Sequence, residues 1–331
     1  MSVPSQALPP TATPAPRASV VLPTYNGEHE LKQLLPALAA QEVAGGFEIL
    51  AVDSSSSDGS VALLREFGAD VKIIKAADFG HGRTRNACAQ RARGEILVFL
   101  SQDVVPQGGN YLERLLAPFA DERIAGSYAR VLPLPGSDLL SARTVRDLPE
   151  SSSDPVVRDL DGVAGLWELE PGERAEYLRF NNVASAIRRT AFLDLPFPDV
   201  AFGEDFAWAA RALTAGWRIA YAPEAVVHHA HRYGPRSAFR RYQADALFHR
   251  EAHGWLLRPN LVSVVRGWLY ELRADVRAVA AAGWLGHLPD LLRAPALRAG
   301  QVLGQYAGSH GWWGDSRSQA ALARDLSFLD T

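Results

Sequence analysis

Lysine is almost absent from this chain of 331 residues: Lys32, Lys72 and Lys75 are the only three, so nearly all of its 34 basic residues are arginine. Against them stand 37 acids, for a formal charge of −3. No basic surplus marks the chain as a nucleic-acid binder, and nucleic acid is excluded as the expected partner. Cysteine occurs once, at Cys88, which excludes an internal disulfide and a cysteine-rich zinc site. Set in an alanine-rich helical stretch, Cys88 reads as a small core hydrophobe. Nowhere do ~18 uninterrupted apolar residues occur, so no membrane-spanning helix is expected. The first 17 residues hold five prolines (Pro4, Pro9, Pro10, Pro14 and Pro16) and lack the basic start and apolar core of a secretory signal. They read as a flexible tail over 1–17, and the expected location is the cytoplasm.

From Ala18 the chain alternates strand and helix. "SVVLPTY" is an apolar strand, "HELKQLLPALAAQ" a helix bent by Pro36, "FEILAVD" a strand, and "SVALLREFG" a helix ended by Gly68. "VKIIKA", "TRNACAQRA" and "EILVFLSQD" continue as strand, helix, strand. That order predicts an α/β fold with a mostly parallel sheet flanked by helices. Ligands of such sheets bind beyond the carboxyl ends of the strands, which singles out Thr24, Tyr25 and Asn26, then Asp53, then Gln102 and Asp103. Residues 134–180, rich in Pro, Ser, Asp and Gly, read as an insertion with short helices. "NNVASAIRR" and "WRIAYAPEAVVHHAH" read as further strands around the helix "EDFAWAARALTAG".

Several of these positions carry two readings. Asp53 enters "DSSSSDGS", where an acid either orders a β-to-α turn or accepts a hydrogen bond from a nucleotide base. "FGHGRTRNA" is a glycine-bearing loop opening onto a helix with Arg83 and Arg85 in its first turn, which suits a diphosphate. Glu204 and Asp205 begin a helix, where acids favour the dipole whatever else they do. His229 and His231, two apart along a strand, share one face and can share a metal.

As an ordered set, "VVLPTYN", the Asp after the second strand, "RTRNACAQRARGEILVFLSQD", "FGEDFAWAARALTAGW" and "VVHHAHRY" resemble the family 2 glycosyltransferases, which have the GT-A fold. "DFGHGRTRN", "FLSQDVVP", "FRRYQADALFHR" and the ending "RAGQVLGQYAG" look like the bacterial rhamnosyltransferase branch. The resemblance covers roughly residues 18–250, the implied catalytic domain, with 251–331 a helical C-terminal region. In the family a D-x-D pair at the end of the fourth strand binds a divalent metal that holds the donor diphosphate. Here those positions read Ser101-Gln102-Asp103, and one acid is left. The resemblance implies Mg or Mn as cofactor, held by Asp103 with His229 or His231. Asp205 becomes the general base, with Glu204 its neighbour and possible substitute, and a carboxylate of ordinary pKa suffices. Thr24, Tyr25, Asn26 and Asp53 would hold the nucleotide, with Arg83, Arg85 and Gln102 beside it.

The implied reaction is an inverting transfer, with dTDP-L-rhamnose as donor and a bacterial polysaccharide or lipid-linked glycan as acceptor. Two alternatives stand beside it: a family 2 enzyme using a UDP-hexose, and a non-catalytic sugar-nucleotide-binding or scaffold protein. Beyond residue 255, "LVSVVRGWLYELRADVRAV" sets Leu261, Val265, Trp268, Leu272, Val276 and Val279 within an arc of roughly 80° at ~100° per residue. Arg266, Arg273 and Arg277 run beside that stripe. Residues 255–331 hold eight Arg against six acids. The stripe is expected to lie against the inner face of a membrane, as a peripheral contact, or to pack onto the catalytic domain or a second subunit.

Overall fold

The computed structural model describes residues 14–312 apart from Ala164 and Ala201, so the expected N-terminal tail lies mostly outside the described residues. The first half runs β1 (Ala18–Thr24), α1 (Glu28–Ala39), β2 (Phe47–Asp53), α2 (Ser60–Glu66), β3 (Asp70–Ile73), α3 (His81–Ala89), β4 (Ile96–Leu100), β5 (Val105–Pro106), α4 (Tyr111–Leu116) and β6 (Ile124–Leu132). The second runs α5 (Leu139–Arg146), β7 (Val156–Arg158), α6 (Pro171–Tyr177), β8 (Ala184–Arg188), α7 (Arg189–Asp194), α8 (Glu204–Thr214), β9 (Arg218–His228), α9 (Pro235–His253), α10 (Leu261–Ala282) and α11 (Trp284–Ser309).

One sheet takes all nine strands, in the order β3-β2-β1-β4-β8-β6-β9-β5, with β7 also on β9. The opening βαβ units give parallel pairs β1–β2, β1–β4 and β2–β3. Beyond β4 the sheet is mixed. β8 is antiparallel to β4 and β6, whereas β6 and β9 pair in parallel. Alternation along the strands separates two apolar cores. Val21, Leu97 and Phe99 face Cys88 and Trp208 on one side. Val20, Leu22, Val98 and Leu100 face Leu31, Leu35 and Leu112 on the other. The Cys88 thiol is fully buried and pushed up to about 12, by burial first, so it is inert, as its sequence setting predicts.

Two boundaries differ from expectation. α3 opens at His81, three residues before Thr84, because the Gly80 N–H donates to Thr84 Oγ1 at 3.2 Å and fixes the entry. β9 stops at His228, where its pairing with Val105 and Leu132 ends, so His229 and His231 lie just past the strand.

The insertion and the C-terminal helices are joined. α11 lies so close to α9 that a Cβ on Gly300, Gly304 or Gly308 would stand 2.3 Å from the carbonyl oxygens of Pro235, Phe239 and Gln243 respectively. Only a hydrogen at every fourth position lets the two backbones meet. At the junction of α5, α10 and α11 a buried ionic network forms. Asp275, fully buried, accepts from Arg143 Nε at 2.7 Å and from Arg298 Nε at 2.8 Å, and Arg143 also pairs with Glu271.

Candidate active site

The carboxyl ends of β1, β2 and β4 meet at one edge of the sheet. Asp53, fully buried, accepts from Thr24 Oγ1 (2.9 Å), the Ser56 N–H (2.8 Å) and Ser56 Oγ (2.6 Å). Its oxygens are thus occupied inside the turn, and it does not line the cavity beside it. Of the two readings of Asp53, the structure supports the ordering of the β-to-α turn. Asn26 serves the same turn: its Oδ1 accepts from the Ser57 N–H at 2.9 Å, its own N–H donates to Ser56 Oγ at 2.8 Å, and its φ is 44°. Both residues are engaged within this turn.

Gln102 explains itself through Tyr25. Its Oε1 accepts the Tyr25 N–H at 2.8 Å and its Nε2 donates to the Tyr25 carbonyl at 3.1 Å. A carboxylate has no donor for that second bond, so an amide is required where the loop after β1 is clasped to the loop after β4. These two loops frame a cavity of about 520 Å³ reached by Tyr25, Phe79, Ser54, Arg85, Gln102 and Asp103. Tyr25 is 53% and Phe79 38% exposed, leaving two aromatic faces without a cover. Ser54 Oγ and Arg85 Nε are buried without a hydrogen-bond partner, and unmet buried donors cost free energy unless a ligand or water answers them. Arg83 is placed elsewhere: it pairs with Asp199 at 3.5 Å on the surface and is not among the cavity-lining residues. The turn of helix between the two arginines separates them, since residues two apart do not share a face.

Arg85 connects the cavity to the start of α8. Its Nη1 pairs with Glu204 Oε1 at 3.0 Å, and the same oxygen accepts from Asn182 Nδ2 at 3.2 Å. Arg85 and Glu204 are both buried. The neighbouring Asp205 is half-buried and accepts from the backbone N–H groups of Asn182 (3.1 Å) and Phe206 (2.9 Å); like Glu204 it is not itself among the cavity-lining residues, and Arg85 stands between the pair and the cavity. Burial pushes its carboxyl up to about 7, with the Glu204 charge adding to the rise. A carboxylate of ordinary pKa would suffice for the role; the rise comes first from burial at the start of α8, which sequence alone does not display. The turn is exacting: Gly203 has φ +83°, and a Cβ there would lie 2.2 Å from the Phe248 ring.

Asp103 stands at the cavity's other side. One ligand atom each from Asp103, His229 and His231 falls within 4.8 Å of the others. His229 Nδ1 lies 3.5 Å from Asp103 Oδ1 and 3.4 Å from its carbonyl, and His231 Nε2 lies 3.6 Å from Oδ2. These separations are long for hydrogen bonds, so the three groups face one another without consuming one another. Burial holds His231 below the usual imidazole range, with His229 adding to the effect, and a neutral imidazole is the ligating form. One carboxylate and two imidazoles fit a divalent cation.

Residues 19–145 match the description of glycosyl transferase family 2. The chain is 30% identical over 237 residues to the O-antigen chain rhamnosyltransferase RfbN of Salmonella typhimurium, covering 70% of this chain and 72% of that one. This chain belongs to glycosyltransferase family 2. To the O-antigen chain rhamnosyltransferase WbaN of Salmonella anatum the glycosyltransferase is again 30% identical, over 73% of its own length and 75% of the relative's. Among solved structures it is similar to a mannosyltransferase from Pyrobaculum calidifontis in complex with GDP-Man and Mn2+ (TM-score 0.51, 22% identity, 96% of this chain and 87% of that one). It is also similar to TarS of Staphylococcus aureus (TM-score 0.50, 19% identity, 89% and 90%). These likenesses show the GT-A fold.

Three polar or aromatic cavity residues of this glycosyltransferase went unread in the sequence: Ser54, Phe79 and His81. His81 stands edge-on to Phe79 with ring centroids 5.1 Å apart, and burial keeps it below the usual imidazole range. Both lie within "FGHGRTRNA", where the arginines drew attention first. Ser54 is one of four consecutive serines, and nothing in the run distinguishes it.

Proposed function

We propose that this glycosyltransferase moves L-rhamnose from dTDP-L-rhamnose to a hydroxyl of a bacterial polysaccharide or lipid-linked glycan, in a single inverting displacement. The observation that carries the reading is one cavity bordered by the Asp103–His229–His231 cluster and by Arg85, whose partner Glu204 adjoins a carboxyl raised to about 7. The choice of rhamnose rests on the two O-antigen chain rhamnosyltransferases at 30% identity.

Asp205 is the general base: its raised pKa matches neutral pH, where base strength and ionised fraction are both useful. Glu204, already committed to Arg85 and Asn182, is the positioning residue that holds Arg85 at the cavity wall. Arg85 meets the growing charge of the diphosphate, and Ser54, Tyr25 and Phe79 receive the nucleoside. Gln102 and Asp53 act through the turns that they fasten. Asp103, His229 and His231 would hold Mn or Mg, which when bound neutralises diphosphate charge.

Incubating the purified chain with dTDP-L-rhamnose, UDP-glucose, UDP-N-acetylglucosamine and GDP-mannose, with Mn or with chelator, tests the reading through nucleotide release. Release from dTDP-L-rhamnose at least ~10-fold faster than from the others, a difference typical of a pocket that reads one or two substituents, is the expected result. Preference for a UDP-hexose would reassign the donor, and release from none of them would favour the binding-protein alternative. Independently of turnover, calorimetry with Mn and dTDP should show binding that Asp103→Asn weakens by at least ~10-fold, as loss of one charged ligand predicts.

A further inference from the structure

The apolar stripe that the sequence places on α10 is divided in the structure. Val264, Gly267, Asp275 and Val279 form the buried side, packed toward α5 and α11. Leu261, Val262, Val265, Leu269 and Val276 stay between 38% and 65% exposed. At ~100° per residue these five fall within an arc of about 100°, and Arg273, Arg266 and Arg277 follow in the next ~60°. Among the described residues, none of these three arginines has a carboxylate within 4.0 Å, although most other arginines of the chain do. The turn into α11 continues the apolar surface: Trp284 is 52%, Leu285 100%, Leu288 53% and Leu292 74% exposed. Beside the arginine row lies a recess of about 560 Å³ walled by Arg258, Arg266, Arg273 and Tyr270, and by Glu271, whose charge is paired with Arg143. Arg258 is fixed there by Gln305 Oε1 at 2.9 Å and the Ser263 carbonyl at 3.4 Å.

We propose that the α10–α11 hairpin docks on an anionic bilayer, with Leu285 and its neighbours entering the apolar boundary and Arg266, Arg273 and Arg277 meeting lipid phosphates. Three unpaired cations bordering a broad apolar face complement a negative lipid surface. A second copy of the chain would set the same arginine rows against each other. The recess at Arg258 is sized for a phosphate-bearing headgroup and lies beside the arginines that would contact it. No described helix is long and apolar enough to cross a membrane, so the contact is made at the surface. The inference is independent of which donor the active site takes.

Co-sedimentation of the full chain with phosphatidylcholine vesicles, alone or mixed with phosphatidylglycerol, tests the docking. The protein should pellet with the mixed vesicles only, and salt should release it. Each basic residue at an anionic surface is worth roughly fivefold in partitioning. Arg266→Glu with Arg273→Glu should therefore lower binding by at least ~25-fold, and Leu285→Glu should abolish most of it. Both sets of substitutions are solvent-exposed, and unchanged thermal melting and solution hydrolysis of the donor would verify that the variants are folded. Equal pelleting with neutral vesicles would overturn the proposal. So would a protein that ignores all vesicles, and a light-scattering dimer that Leu285→Glu converts to monomer would assign the face to a second copy.

Discussion

Asp205 has to carry charge where burial and Glu204 oppose it, and that conflict has a measurable signature in stability. Its folded pKa, about 7, lies above the ordinary carboxylate value of 3.8, so the folded chain holds a proton that the unfolded chain has released. Stability from this group is complete below pH ~4 and is lost as pH rises through 7. Asp205→Asn removes the penalty. The variant should melt above wild type at pH 8, and the gap should close as pH falls toward 4; scanning calorimetry across that range measures it. A variant that melts lower at pH 8 would mean that the backbone bonds from Asn182 and Phe206 outweigh the buried charge. Gln102 makes a second residue-scale prediction. Gln102→Ala loses both bonds to Tyr25, worth ~1 kcal/mol each, and should lower stability by about 2 kcal/mol in urea titration while raising the donor KM. Gln102→Glu keeps only the acceptor and should fall between the two.

Between elements, the decisive contacts are backbone against backbone and charge against buried charge. Gly304 on α11 faces the Phe239 carbonyl of α9 with no room for a methyl group. Gly304→Leu must force the helices apart, and overpacking of this kind costs ~1–3 kcal/mol or more, visible as a lower melting temperature. Asp275→Ala removes the buried carboxylate that Arg143 and Arg298 share and leaves them only Glu271 in common, a loss toward the lower end of about 3–5 kcal/mol. Thermal melting of that variant should show α10 and α11 losing their seat on α5. Neither contact was legible in the chain. "RAGQVLGQYAG" displays its four-residue glycine period openly, but the partner carbonyls lie some 65 residues upstream. Asp275 lies near the apolar stripe of "LVSVVRGWLYELRADVRAV", but nothing in that stretch names the arginines it meets. The strands β1 to β4, by contrast, were legible because their apolar runs end sharply in polar turns, and local pattern alone decides such elements. Beyond β4 two strands were legible but the mixed pairing was not, since pairing direction depends on chain reversals that no local period records.

At the scale of the whole molecule, the fold brings five distant stretches to one sheet edge: the loops after β1, β2 and β4, the start of α8, and the histidines after β9. Sequence order and family resemblance named Asp103, His229 and His231 together, and the structure sets them within 4.8 Å of one another. Resemblance does not show which hydrogen bonds those side chains make. Asp53, Asn26 and Gln102 hold the loops, Arg83 faces away, and Ser54, Phe79 and His81 take the cavity wall. Such assignments follow from hydrogen-bond partners rather than from residue type. The central claim is that Asp205, held beside Glu204, removes the acceptor's proton at this edge. The pH–rate profile of sugar transfer tests it most directly. Wild-type kcat should fall tenfold per pH unit below about 7. Asp205→Asn should be slower by at least ~10²-fold at pH 8, with the same donor affinity by calorimetry and no inflection near 7. Transfer by Asp205→Asn at the wild-type rate, or an unchanged inflection in that variant, would contradict the account.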